Sequence, residues 1–137
     1  DEIFVPAGDG ETSFVDARDV AAVAATVLTE PGHENRAYDL TGSDALTYFE
    51  VAEVFSEALG RRITYPEPSL FTFVRRMYGR GKPLPFVAVM CAIYTTARLG
   101  LADRVTDDLR EILSREPRSM RAFVEDYADE FRSGSAQ

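Results

Sequence analysis

Residues 13–60, SFVDARDVAAVAATVLTEPGHENRAYDLTGSDALTYFEVAEVFSEALG, decide the fold. Ser13-Phe14-Val15 reads as a short strand. Asp16 follows as a helix N-cap, with Asp19 three residues on as an acidic analogue of a capping box. The helix over 17–29 is rich in small residues (Ala21, Ala22, Ala24 and Ala25 among Val20, Val23, Val27 and Leu28), so its backbone can approach a neighbour closely. Pro31-Gly32 stops it. Residues 37–40 read as a second strand, and strand–helix–strand in this order predicts a right-handed parallel crossover. Thr47 with Glu50 forms a T-x-x-E capping box for the next helix. Its buried stripe is Val51, Val54, Phe55, Ala58 and Leu59, and Gly60 ends it at the usual C′ position.

Working outward, residues 1–12 hold a glycine-punctuated turn, AGDGE. Ile63-Thr64-Tyr65 reads as a third short strand, closed by Pro66 and Pro68. From Ser69 the pattern is helical. One helix over 70–78 is broken by Gly79-Arg80-Gly81, and a second, over 84–99, is apolar enough to be largely buried. Thr106 is expected to cap a third, with Asp107 and Asp108 at its N-terminal dipole. Ser119 caps a fourth, whose face is Met120, Phe123, Val124, Tyr127 and Phe131. The expected fold class is α/β turning to mostly α: short strands with a crossover helix, then a helical C-terminal subdomain. The expected organisation is a single domain over 1–137, with an α/β segment over 1–67, a helical segment over 68–132 and a frayed tail over 133–137. No glycine-rich phosphate loop stands at the front, and the chain opens on Asp1. It therefore reads as the C-terminal portion of a larger α/β protein.

The chain has 137 residues, 45% hydrophobic and 28% charged, as for a globular domain with a real core. A net charge of −8 argues against binding nucleic acid, which needs clustered cations against phosphate. Lys82 is the only lysine; every other cation is arginine. A single cysteine, Cys91, excludes an internal disulfide, and its setting in PFVAVMCAIY is that of a small buried hydrophobe. A single histidine, His33, lies in the loop EPGHEN and cannot build a zinc site without cysteine partners. Its turn-rich surroundings also argue against a Ser-His-Asp triad. The longest apolar run, 85–94, is too short to span a bilayer, and no signal peptide is recognisable, so no membrane insertion and a cytoplasmic location are expected.

Several motifs together resemble the C-terminal part of the NmrA-like proteins, atypical members of the short-chain dehydrogenase/reductase superfamily. They are the glycine turn at Gly8-Asp9-Gly10, then Phe14-Val15-Asp16, Arg18-Asp19-Val20-Ala21, Tyr38-Asp39-Leu40-Thr41-Gly42 and Leu59-Gly60-Arg61. Val105-Thr106-Asp107-Asp108 and Phe123-Val124 look like that family's last helices. Residues 68–104 match more loosely. The resemblance implies a parent with an N-terminal Rossmann half that binds NAD(P)H, in a family of quinone reductases, isoflavone-type reductases and non-catalytic redox sensors. That half would carry a G-x-x-G-x-x-G loop after its first strand. This chain has no such loop: Gly8-Asp9-Gly10 lacks the third glycine and opens no helix. The resemblance thus implies the substrate-binding portion of an NAD(P)-dependent oxidoreductase, with hydride transfer to a small carbonyl or quinone in the parent. No cofactor and no activity are expected for this chain alone. The implied partners are the missing Rossmann half and a small-molecule substrate, with a possible homodimer. Two other readings stand beside it: a non-catalytic redox-sensing or protein-interaction module, and a stand-alone small-ligand-binding domain.

Tyr78-Gly79-Arg80-Gly81-Lys82 has the superfamily's Tyr-x-x-x-Lys spacing. That chemistry needs Tyr and Lys one helical turn apart, and two glycines followed by Pro83 should break the helix. No residue is therefore assigned to catalysis, to cofactor binding or to a metal. Asp16, Arg18 and Asp19 read as a cap with surface or inter-half pairs. Arg75, Arg76, Arg80 and Lys82 form the densest basic patch, read either as a solvated loop or as a lid for an anionic ligand, a membrane surface or an acidic partner. The aromatics over 65–94 line either a core or a pocket for a planar substrate. Phe71, Tyr78 and Phe86 are the candidate substrate-binding residues.

Overall fold

The computed structural model describes residues 1–133. Two three-residue strands, β1 (Glu11–Ser13) and β2 (Ala45–Thr47), and seven helices are present among them. The helices are α1 (Ala17–Thr29), α2 (Tyr48–Leu59), α3 (Leu70–Gly79), α4 (Leu84–Arg98), α5 (Asp108–Leu113), α6 (Met120–Asp126) and α7 (Ala128–Ser133). The class is the expected one, α/β turning to mostly α. Of the expected frayed tail, Ser133 closes α7 and the rest lies outside the described residues.

The caps are where local chemistry puts them. Asp16 accepts the Arg18 amide at 2.8 Å, Thr47 and Glu50 form the reciprocal capping box, and Ser119 accepts the Ala122 amide at 3.2 Å. Gly60 closes α2 at φ 66°, a left-handed conformation that costs glycine little.

The strands differ from the sequence reading. β1 and β2 pair antiparallel, Thr12 opposite Leu46, so α1 does not bridge two parallel strands. β1 sits two residues earlier than 13–15, because Asp16 already begins the cap of α1. Residues 37–40 form no strand. The Asp39 amide donates to the Asp108 carboxylate at 2.7 Å, and the Asp39 carbonyl accepts from the Thr106 hydroxyl. Side chains thus satisfy groups that a ladder would otherwise use. Thr106 is consequently no helix cap; it ties 39–41 to the start of α5, which Asp107 precedes. At 63–65 a single parallel bridge joins Thr64 to Glu2.

The core gathers one or two side chains from nearly every helix: Val23, Val51, Leu59, Phe73, Val87, Leu109 and Val124 are buried. α2 packs on α6 and α7, with Phe55 edge-on to Phe131 at 5.1 Å. The stripe from Met120 to Phe131 is split at Tyr127 into α6 and α7. α1 packs on α5, and α3 on α4. α4 departs furthest from expectation. Of its fifteen residues only Val87 and Ala97 are buried, and Leu84, Phe86, Val89 and Ile93 are exposed.

Candidate functional site

Two rigid centres frame the molecule. The first is ionic and joins α1 to the connection between α5 and α6. Asp19, in the first turn of α1, is fully buried. It accepts from Arg115 Nη2 and from the Arg118 amide, each at 2.7 Å, and pairs with the Arg118 guanidinium. Burial pushes its carboxyl up. The hydrogen bonds from Arg115 and the Arg118 amide outweigh that, and the group stays below the ordinary carboxylate range. Asp16 is likewise held low, chiefly by its hydrogen bonds from Arg18, whose Nη1 also reaches Asp126 at 2.7 Å. Asp19 is therefore neither a capping-box analogue nor a surface charge.

The second centre is aromatic and links the base of the fold to α3 and α4. Phe73 lies 6.4 Å from Phe4 and 6.0 Å from Tyr94. Tyr94 meets Tyr48 at 6.1 Å, and Tyr48 meets Phe14 at 5.6 Å and Tyr65 at 5.7 Å. Burial raises the Tyr48 phenol to about 12. Tyr65, Phe73 and Tyr94 thus belong to the core, which resolves half of the aromatic run over 65–94.

The other half faces outward. Phe71 is 76% exposed, Tyr78 64% and Phe86 49%. Phe71 and Tyr78 share one stripe of α3 with Arg75 between them, at helical spacing. Phe86 opens α4 across the break. Gly81 takes φ 72°, and the helix that would align Tyr78 with Lys82 ends at Gly79, so Tyr-x-x-x-Lys does not form a catalytic pair. Of the four patch cations, Arg76 is drawn inward, over the Phe4 ring at 3.9 Å and against Glu2. Arg75, Arg80 and Lys82 have no ion-pair partner among the described residues.

Other features carry less chemistry. Cys91 is free and half-buried on α4. His33 Nδ1 lies 2.7 Å from the Tyr38 hydroxyl. No cluster of three metal-ligating side chains occurs among the described residues, and no helix there is long and apolar enough to cross a membrane. A cleft of about 220 Å³ lies between Phe14, Val15, Met120 and Phe123, with Arg118 at its rim. A shallower polar one of about 450 Å³ lies beside Gly8, Glu67 and Arg98. The Asp19 centre was not visible in the sequence, since its partners lie 96 and 99 positions away. The one available signal was a pair of arginines flanking Pro117 just ahead of the Ser119 cap.

No family model matches the chain. It is 38% identical over 130 residues to an NAD(P)H azoreductase of Xenophilus azovorans, covering 95% of this chain and 46% of that protein. Among solved structures it is similar to a Citrobacter sp. triphenylmethane reductase complexed with NADP(H), at 31% identity and TM-score 0.80, over 93% of this chain and 44% of the other. It is also similar to an NADPH-dependent quinone oxidoreductase of Escherichia coli complexed with NADPH, at 25% identity and TM-score 0.84, over 91% and 44%. The chain is thus related over nearly all its length to NAD(P)H oxidoreductases, and it spans slightly under half the length of the relatives it matches.

Proposed function

We propose that the chain is the substrate-side, C-terminal portion of an NmrA-like, NAD(P)H-dependent reductase of the cytoplasm. Phe71, Tyr78 and Phe86 would contact a planar, hydrophobic acceptor such as a quinone, an azo dye or an aromatic carbonyl. The observation that carries this reading is that Phe71 and Tyr78 on α3 and Phe86 on α4 are all exposed, on a helix pair held by a buried aromatic base. Apolar side chains on a fixed scaffold suit a flat acceptor without a strong hydrogen-bond pattern. The kinship to an azoreductase and a quinone oxidoreductase supports the acceptor class.

The residues described here do not fit a dinucleotide cradle. The glycine turn at Gly8 and Gly10 leads into strand β1, and a Cβ on Gly10 would fall 2.1 Å from the Ala97 carbonyl oxygen. That glycine serves backbone packing, not an approach to pyrophosphate. NAD(P)H is accordingly assigned to an N-terminal Rossmann half, which would supply the hydride, and this chain alone is expected to be inactive.

The test is NADPH oxidation by the full-length gene product against a panel of quinones, azo dyes and aldehydes. Turnover with the planar acceptors is expected. Phe86→Ala should raise KM about tenfold, the cost of one lost aromatic contact, with NADPH binding unchanged. A full-length protein that binds NADPH yet turns over no acceptor would replace this reading with the redox-sensing one.

A further inference from the structure

Residues 37–40 have the character of a strand that is closed on one edge and open on the other. Their burial alternates, Ala37 and Asp39 exposed, Tyr38 and Leu40 half-buried, which is the period of two that a strand imposes. None of the four takes a positive φ. Both backbone groups of Asp39 turn toward the start of α5: its amide donates to the Asp108 carboxylate at 2.7 Å, and its carbonyl accepts from the Thr106 hydroxyl. In an extended chain the N–H and C=O of one residue face one edge, and those of its neighbours face the other. The backbone groups of Tyr38 and Leu40 therefore face away from α5. They form no hydrogen bond among the described residues, and Tyr38 is engaged only through its side chain, with His33. α1 packs on α5 as well, and it turns an uncharged stripe outward: Val20, Ala21, Ala24, Ala25 and Leu28 are exposed at helical spacing.

We propose that the open edge at 38–40 receives a β-strand from the N-terminal half of the same protein, and that the outer stripe of α1 packs against that half. The inference rests on the reading of this chain as a C-terminal portion. An edge that offers donors and acceptors in a row has one full complement, another extended backbone. The 130 residues aligned with the azoreductase are 46% of that protein, so a protein built like it has more residues outside this chain than within it. A segment tethered in this way meets the edge at an effective concentration of about millimolar, which a second copy reaches only when concentrated. The small residues of α1 let its backbone lie close to a covering layer, and the stripe holds no charge that such burial would strand. One sheet would then run across both halves and fix the acceptor side against the hydride donor.

The experiment is residue-resolved amide hydrogen exchange on the full-length protein, with the amides of α2 as the reference for an intact fold. The Tyr38 and Leu40 amides are expected to exchange at least about a hundredfold more slowly than an unstructured chain, at every protein concentration. Ala24→Arg tests the helix stripe. Arginine is a good helix former, so at an exposed site it is nearly neutral, whereas under a covering layer it should lower the Tm of the full-length protein by about 5 °C. Tyr38 and Leu40 amides that exchange at the unstructured rate while α2 stays protected overturn the proposal. So does a gene product with no segment beyond this chain. Protection that disappears on dilution, together with a dimer that dissociates, assigns the edge to a second copy and overturns it too. An unchanged melt of Ala24→Arg removes α1 from the contact. NADPH oxidation is read in parallel. Turnover with an unprotected edge refutes the strand pairing alone, and a protected edge without turnover refutes the reductase reading alone.

Discussion

Replacing Asp19 tests the ionic centre directly. Asp19→Ala removes a buried carboxylate that two arginines and one backbone amide share. The Arg115 and Arg118 side chains are 38% and 37% exposed, so their guanidinium groups rehydrate when the carboxylate goes. That discounts the full cost of about 3–5 kcal/mol for breaking a buried pair. The part-buried Arg118 amide loses its acceptor as well, and an orphaned buried donor costs up to about 1–3 kcal/mol. With the lost hydrogen bonds to charge, we expect about 3 kcal/mol in all, a fall in Tm of about 10 °C for a chain of this size. Asp19→Asn keeps an acceptor for the amide and removes the charge, and should cost about half as much. The wild-type carboxyl is held below its ordinary range. Its contribution is therefore complete above pH ~4 and is lost as pH falls from there through the folded value. The assay is urea unfolding followed by circular dichroism, for both variants and wild type, between neutral and acid pH. If both variants unfold within about 0.5 kcal/mol of wild type, or if the acid loss of stability persists in full in Asp19→Asn, the centre does not hold α1 to the α5–α6 connection.

Two further outcomes follow from packing. Gly42→Ala places a Cβ 2.0 Å from the Phe14 carbonyl oxygen, a backbone atom that cannot rotate away. It should cost about 3 kcal/mol in a thermal melt, whereas Gly79→Ala, with open space around it at the end of α3, should be neutral or stabilise by up to about 1 kcal/mol. In an alkaline titration followed by phenolate absorbance, Tyr48, Tyr65 and Tyr94 should ionise above the ordinary phenol value, Tyr48 last at about 12. Burial favours their neutral forms, so stability is present below the ordinary phenol value and falls as pH rises through the raised ones. Three tyrosines titrating normally while the fold persists would contradict the aromatic base.

What the sequence revealed and what it hid divide along the range of the interactions. Asp16, Thr47 with Glu50, Gly60 and Ser119 were legible because a cap joins residues two to four apart. The strands were not, because a strand exists only with its partner. The run at 37–40 has strand-like composition, yet Asp108 and Thr106, nearly seventy positions away, take up the Asp39 backbone. Asp19 was misread for the same reason. α4 was misread for another. An apolar helix is expected to be buried, and nothing within the helix says whether a neighbour is there to bury it.

Phe71 and Phe73 show why the candidate site can be separated from the scaffold. The two rings lie two positions apart on α3, on nearly opposite sides of the helix. Phe73 points into the base, against Phe4 and Tyr94, while Phe71 stands in solvent. The α3–α4 pair is held from inside by these ring contacts and by Arg76 over Phe4, and beyond α4 by the Ser13 amide donating to the Ala102 carbonyl at 2.9 Å. None of these restraints uses Phe71, Tyr78 or Phe86. Their identities are therefore free to vary at little cost in stability. Large aromatics kept outward on a rigid base, where polar side chains would be better hydrated, point to contact with something apolar.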